Sequence, residues 1–129
     1  MRDVIIACDF KNKEDLFEFL KDFEGLNPYL KIGMEIFYKE GPELVKTLKA
    51  KGFKIFLDLK LHDIPNTVEK AMRNIADLGV EITNCHAAGG IQMMVAARRG
   101  LDSTEAGKKT ELIAVTQLTS ISQEALENE

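Results

Sequence analysis

Two carboxylates and an amine fall within one short stretch, Phe56-Leu57-Asp58-Leu59-Lys60-Leu61-His62-Asp63-Ile64-Pro65-Asn66-Thr67. Side chains of a strand alternate between faces, so Asp58 and Lys60 share one face while Leu57, Leu59 and Leu61 take the other. Asp63 follows just past the strand, and Pro65 stiffens the turn into the next helix. A lysine beside two carboxylates is held as the ammonium ion, because nearby negative charge favours that form. An ammonium suits a proton donor better than a Schiff-base nucleophile, which must be neutral to attack. The carboxylates set negative charge against an anionic group that the reaction removes. Its departure relieves the repulsion, and the ammonium stabilises and then protonates the carbanion left behind. Decarboxylation is the reaction class that fits. The competing explanation is a buried ion pair that only fills space, yet such a pair is rarely a net gain over apolar packing.

The elements that must hold these groups are short β-branched runs alternating with longer amphipathic stretches. Val4 to Cys8 reads as a strand, followed by a helix over Glu14 to Phe23 that presents Leu16, Phe17, Phe19, Leu20 and Phe23 on one broad face. Tyr29 to Gly33 is a second strand, and Pro42 opens a helix in whose first turn a missing N–H costs nothing. Phe53 to Leu59 is the third strand, with a helix from about Asn66 to Leu78. Val80 to Cys85 is the fourth, with a helix from about Gln92 to Arg99 closed by Gly100. A polar loop, Asp102 to Thr110, leads to a fifth strand at Leu112 to Leu118, and Ser122 is placed to cap a last helix. Gly25, Gly52 and Gly79 close successive helices at a constant 27-residue spacing, about one βα unit with short connections. Strands alternating with helices need right-handed crossovers and give a parallel sheet, so the class is α/β.

A doubly wound sheet usually carries a glycine-rich nucleotide loop after its first strand, whereas here Cys8-Asp9-Phe10-Lys11-Asn12 follows. Charged residues instead sit at the carboxyl ends of several strands: Asp9, Lys31, Asp58, Lys60 and His86. That end is where a β/α (TIM-type) barrel does its chemistry. A complete barrel takes about eight βα units and roughly 250 residues. The 129 residues here predict four units and a fifth strand, one domain over 1–129 forming the amino-terminal half of a barrel in a truncated chain.

Composition narrows the function classes. Hydrophobic residues make up 45% and charged residues 29%, an ordinary globular balance. A net charge of −4 gives no basic face for nucleic acid. Arg98-Arg99 and Lys108-Lys109 read as a solvated helix end and a solvated loop. The apolar run at the amino terminus is too short for a secretory signal, and no stretch approaches the ~20 apolar residues of a membrane span. Two cysteines without such a signal predict reduced thiols and a cytoplasmic protein. Metal hydrolysis would need convergent inward histidines. Cys8 neighbours Asp9 and Cys85 neighbours His86, so both thiols face away from the charged side and are expected to be buried. His62 and His86 are expected to hydrogen-bond around the site, and Met93-Met94 to lie in the core.

Asp58 to Thr67 closely resembles the signature of the orotidine 5′-phosphate decarboxylase family. Four further segments are similar in order: Ala7-Cys8-Asp9, Leu30-Lys31-Ile32-Gly33, Cys85-His86-Ala87-Ala88-Gly89-Gly90 and Val115-Thr116-Gln117-Leu118-Thr119-Ser120. The resemblance implies a dimeric barrel that converts orotidine 5′-monophosphate to UMP and carbon dioxide in pyrimidine biosynthesis, with no metal and no organic cofactor. It implies that Lys60 protonates pyrimidine C6, that Asp58 and Asp63 flank it, and that Lys31 completes an alternating charge chain. Asp9 and Lys31 would hold ribose hydroxyls, and Thr119 would contact the pyrimidine. Asp63, Ile64 and Thr67 would reach into the neighbouring subunit's site. The family's phosphate-binding arginine, amides and closing loop have no counterpart up to Glu129, so the 129 residues alone are expected to be inactive. Phosphate binding remote from the reacting carbon drives closure in such a design.

Two alternatives stand beside this. Keto-gulonate phosphate decarboxylases and hexulose phosphate synthases resemble the chain in the aspartate–lysine–aspartate spacing but use magnesium; the run His62 to Thr67 favours the nucleotide enzyme. From another class, a non-catalytic half-barrel would expose two strand edges and an apolar inner face, and would assemble with a second chain.

Overall fold

Five parallel strands lie side by side in the order in which the chain makes them: β1 (Ile5–Ala7), β2 (Tyr29–Gly33), β3 (Ile55–Leu61), β4 (Ile82–His86) and β5 (Glu111–Val115). The computed structural model describes residues 3–128. A doubly wound sheet reverses its strand order partway. Here every step goes the same way, and right-handed crossovers then put all the helices on one face. The sheet is a barrel series of five strands, as the charged strand ends lead one to expect.

The covered face holds the core. Leu30, Ile32, Ile55, Leu57 and Cys85 are wholly buried against Leu16, Leu48, Met72 and Met93 of the helices. Burying a side chain of that size contributes about 1.5–3 kcal/mol, so this layer carries most of the stability. On the other face the same strands present Lys31, Asp58 and Asn84, while Ile5 and Ile113 remain partly exposed.

Helix ends follow local chemistry. Asn12 caps α1 (Lys13–Leu20) by accepting the Asp15 N–H at 2.8 Å, and a tight turn of 3₁₀ helix over Lys21–Phe23 extends it as far as the predicted Phe23. Pro42 opens α3 (Pro42–Ala50), and Pro65 opens α4 (Pro65–Ala76). Gly25, Gly52 and Gly79 all take positive φ, at 79°, 92° and 64°, so the 27-residue period is a repeat of helix termination.

Four expectations need correction. A short helix, α2 (Met34–Glu40), follows β2 directly; it buries only Ile36, too little pattern to be read as a helix. Gly100 does not close the fifth helix but lies inside it, in α5 (Ile91–Leu101). A Cβ there would stand 2.3 Å from the Glu69 carbonyl oxygen, so the glycine is a point of close helix approach. The stretch after Asp102 contains α6 (Glu105–Lys108), capped by Thr104, rather than being all loop. Arg98 is not simply solvated, since it donates to the carbonyls of Gly107 and Thr110, both at 2.8 Å; Arg99 is exposed as expected, and with Arg73 it clasps Glu69 of α4. Lys108 pairs with Glu105 within α6.

Strand boundaries shift by a few residues. β3 begins and ends two residues later than predicted, and β5 stops at Val115 rather than Leu118. The last helix, α7 (Gln123–Glu127), is capped by Ser122, which accepts the Ala125 N–H at 3.1 Å.

Candidate active site

Asp58 stands at the centre of the open face and is only 6% exposed. Burying a carboxylate is costly unless it is paired and hydrogen-bonded, and this one has three partners. Lys60 Nζ lies 2.7 Å from Oδ1, Lys31 Nζ 3.4 Å from Oδ2, and the Asn84 side-chain amide donates to Oδ1 at 2.7 Å. Three strands build the cluster: β2 brings Lys31, β3 Asp58 and Lys60, and β4 Asn84. Gly33 sits opposite Asp58 in the β2–β3 ladder, and the Asp9 carboxylate lies beside Gly33.

Burial alone would raise the Asp58 pKa. The hydrogen bonds from Lys60 and Asn84 and the charges of Lys60 and Lys31 overcome that effect and hold it below the ordinary carboxylate value. An unfolded aspartate titrates near 3.9. Stability gained from the depressed value is therefore fully present above about pH 4 and is lost as pH falls through the folded pKa. Asp58→Asn removes this titration. Urea midpoints measured from pH 6 down to pH 3 should fall less steeply for the variant than for the wild type, and parallel curves would refute the linkage.

Alternation alone does not deliver Lys60. Its φ is +50°, the left-handed region, which costs a non-glycine residue on the order of 1–2 kcal/mol. The β3–β4 register breaks at the same place: Leu57 pairs with Thr83 and Leu61 with Cys85, so three residues face Asn84 alone. Leu57 and Leu59 are buried as expected, but Leu61 is half-exposed, because the turn at Lys60 interrupts the alternation.

The other predicted residues are placed as follows. Asp63 is exposed, and its carboxylate accepts its neighbour's N–H, from Ile64, at 2.7 Å; it forms no ion pair with Lys60 among the described residues. Within one chain Lys60 therefore has one carboxylate rather than two, and Asp58 has the two cations. Ile64 is 66% exposed. Asp63 and Thr67 line an open cleft of about 480 Å³ together with Lys60, His62, His86 and Leu118. Thr119 lies in the exposed turn after β5, outside that lining. His62 and His86 meet ring to ring at 5.4 Å, and neither side chain hydrogen-bonds to another among the described residues. Cys8 and Cys85 are free and buried; burial, helped by Asp9 and opposed by Lys31, pushes the Cys8 thiol up to about 11, which leaves it unreactive. Among the described residues no group of three His, Cys, Asp or Glu side chains converges as a metal site, and no helix is long and apolar enough to cross a membrane.

Asn84 is the member that sequence reasoning missed. It lies two residues before His86, so alternation already assigns it to the charged face, and a wholly buried amide on such a face invites a partner.

A parallel βα series with a lysine–aspartate–lysine cluster toward the carboxyl end of its third strand defines a protein of the β/α-barrel class, with its candidate site at the strand ends. Known proteins narrow this. A family model described as "Orotidine 5'-phosphate decarboxylase / HUMPS family" matches residues 2–129, and the chain belongs to that family. An orotidine 5'-phosphate decarboxylase of Bacillus cereus is 54% identical over 99% of this chain and 55% of its own length, and that of Bacillus anthracis 53% over the same shares. The crystal structure of orotidine 5'-phosphate decarboxylase from Lactobacillus acidophilus superimposes with a TM-score of 0.92 at 44% identity, covering 99% of this chain and 58% of that one. An uncharacterized conserved protein from Geobacillus kaustophilus gives 0.91 at 48% identity, covering 97% and 59%. The chain thus spans a little over half the length of the relatives it matches.

Proposed function

We propose that this chain carries the proton-donating part of an orotidine 5′-monophosphate decarboxylase, forming UMP and CO2 in pyrimidine biosynthesis. The observation that carries the proposal is the buried Asp58 held between Lys60 and Lys31 at 2.7 and 3.4 Å. The bond from C6 to the carboxylate breaks, CO2 leaves, and the electron pair stays on C6. The Lys60 ammonium, pre-oriented by Asp58, stabilises that charge and gives its proton to C6, and solvent returns a proton to the amine. Fixed charge aimed at a developing carbanion needs no reorganisation as the reaction proceeds. The Asp58 carboxylate adds negative charge near the group being expelled, which favours its loss over its retention. No step calls on a metal or organic cofactor.

Asp9 and Lys31, neighbours at the ends of β1 and β2, would hold the ribose, and Thr119 the pyrimidine. The enzyme is a cytoplasmic homodimer in this proposal, with Asp63, Ile64 and Thr67 serving the adjacent subunit's site. Residues 1–129 form its amino-terminal half-barrel, and the phosphate grip comes from later strands. The 129-residue polypeptide by itself is then inactive, its charged face lying open.

Orotidine 5′-monophosphate turnover by an enzyme carrying this chain together with the later strands tests the proposal. Full turnover in excess chelator is the expected result. Loss of activity on chelation, restored by magnesium, would instead favour a sugar-phosphate enzyme of the same family.

A further inference from the structure

We propose that Asn84 is the positioning residue of this cluster, the group that sets where the Lys60 ammonium points. This rests on the proton-donor role given to Lys60 above. The Asn84 Oδ1 accepts the backbone N–H of Lys60 at 2.8 Å, and its Nδ2 donates to Asp58 Oδ1 at 2.7 Å. The same Oδ1 of Asp58 receives Lys60 Nζ at 2.7 Å. The four contacting groups close a ring: backbone of Lys60, amide of Asn84, carboxylate of Asp58, ammonium of Lys60.

The orientation of the amide is dictated by its neighbours. A backbone N–H can only donate and a carboxylate can only accept, so one face of the amide suits each and the flipped form suits neither. Asn84 is 2% exposed, which removes water as a substitute for either bond.

The ring explains the broken ladder. Between the Leu57–Thr83 and Leu61–Cys85 pairs, Asp58, Leu59 and Lys60 stand against Asn84 alone. Where three residues face one, backbone pairing cannot continue, and a buried N–H left over must find another acceptor. The Asn84 side chain is that acceptor. A left-handed lysine persists only where its surroundings over-determine it, and here one amide fixes both the lysine's backbone and the carboxylate that receives its tip. Alanine at 84 frees both ends at once; leucine or valine would fill the space with no acceptor.

The experiment compares wild type, Asn84→Ala and Asn84→Asp. On isotope-labelled 129-residue protein, NMR follows the Lys60 backbone shifts and the Asp58 carboxyl titration. On the enzyme carrying this chain, it measures kcat and KM. In Asn84→Ala we expect the Lys60 shifts to leave the left-handed range, the Asp58 pKa to rise, and kcat to fall about 100-fold with KM changed less than about threefold, the scale of a misplacement near 1 Å. Should the alanine variant fail to fold, Asn84→Asp decides. It keeps the size and the acceptor for the Lys60 N–H but sets a carboxylate against Asp58. Its expected signature is unchanged Lys60 shifts, a raised Asp58 pKa and an acid limb of the kcat profile moved to higher pH. Unaltered titration and kcat in either folded variant would overturn the proposal. If the variants show these NMR responses but the wild-type enzyme does not decarboxylate orotidine 5′-monophosphate, the functional assignment falls and the role of Asn84 stays in place.

Discussion

Lys60→Ala, in an enzyme that carries this chain, is expected to lower orotidine 5′-monophosphate turnover by at least about four orders of magnitude while UMP binds within roughly tenfold of wild type. The size follows from two losses at once: the proton source, typically 10²–10⁴-fold, and a pre-oriented charge at the carbanion, typically another 10²–10³-fold. Binding survives because a product has no carbanion for the ammonium to meet; an interaction made only in the transition state lowers kcat and leaves ground-state affinity. The fold survives as well. Asp58 keeps Lys31 at 3.4 Å and the Asn84 amide at 2.7 Å, so it is not left as an unpaired buried charge. Alanine in the left-handed conformation costs about what lysine does there. Single-turnover rates and UMP titration read the two quantities separately. Turnover within tenfold of wild type would mean that another group delivers the proton.

The sequence made the chemistry of β3 legible because charge there is unusual. A strand of leucines interrupted by Asp58 and Lys60 has one sensible orientation, and the glycines at 25, 52 and 79 space the units that hold it. What escaped was whatever depends on departures from regular geometry. Alternation predicts that Asp58 and Lys60 share a face, and they do meet, but the meeting uses a left-handed lysine and an irregular ladder that period-two patterning does not contain. Asn84 escaped because its importance lies in two hydrogen bonds to residues 24 and 26 positions away, and local pattern carries no such distance. Gly100 escaped for a related reason: a glycine after a helical run reads as a terminator, whereas here the neighbouring helix comes too close for a side chain. Arg98 reads as solvated because, besides the Asp102 carboxylate one turn on, its acceptors are two backbone carbonyls, which no residue type announces.

Mixing two inactive variants, Lys60→Ala and Asp63→Asn, is expected to restore roughly one quarter of wild-type activity if the enzyme is a two-fold dimer with shared sites. The motive is where the chain leaves Asp63. Its carboxylate is exposed and, among the described residues, accepts only its neighbour's N–H and does not pair with the Lys60 of its own chain. Exposed apolar side chains lie around it: Ile64 is 66% exposed, and Tyr38 and Met34 line the cleft in which Lys60 and Asp63 meet solvent. Apolar side chains beside a charge with no ion-pair partner among the described residues are what a self-complementary interface would cover. In random re-association about half the dimers are mixed. Each mixed dimer has one site that lacks both groups and one that keeps Lys60 from one subunit and Asp63 from the other, which gives the quarter. If instead Asp63 swings back to serve its own Lys60, no dimer of any composition contains an intact site, and activity after mixing stays at the sum of the two variants alone. Denaturing and refolding the pair together, with separately refolded variants combined afterwards as the control, distinguishes the two arrangements by rate alone.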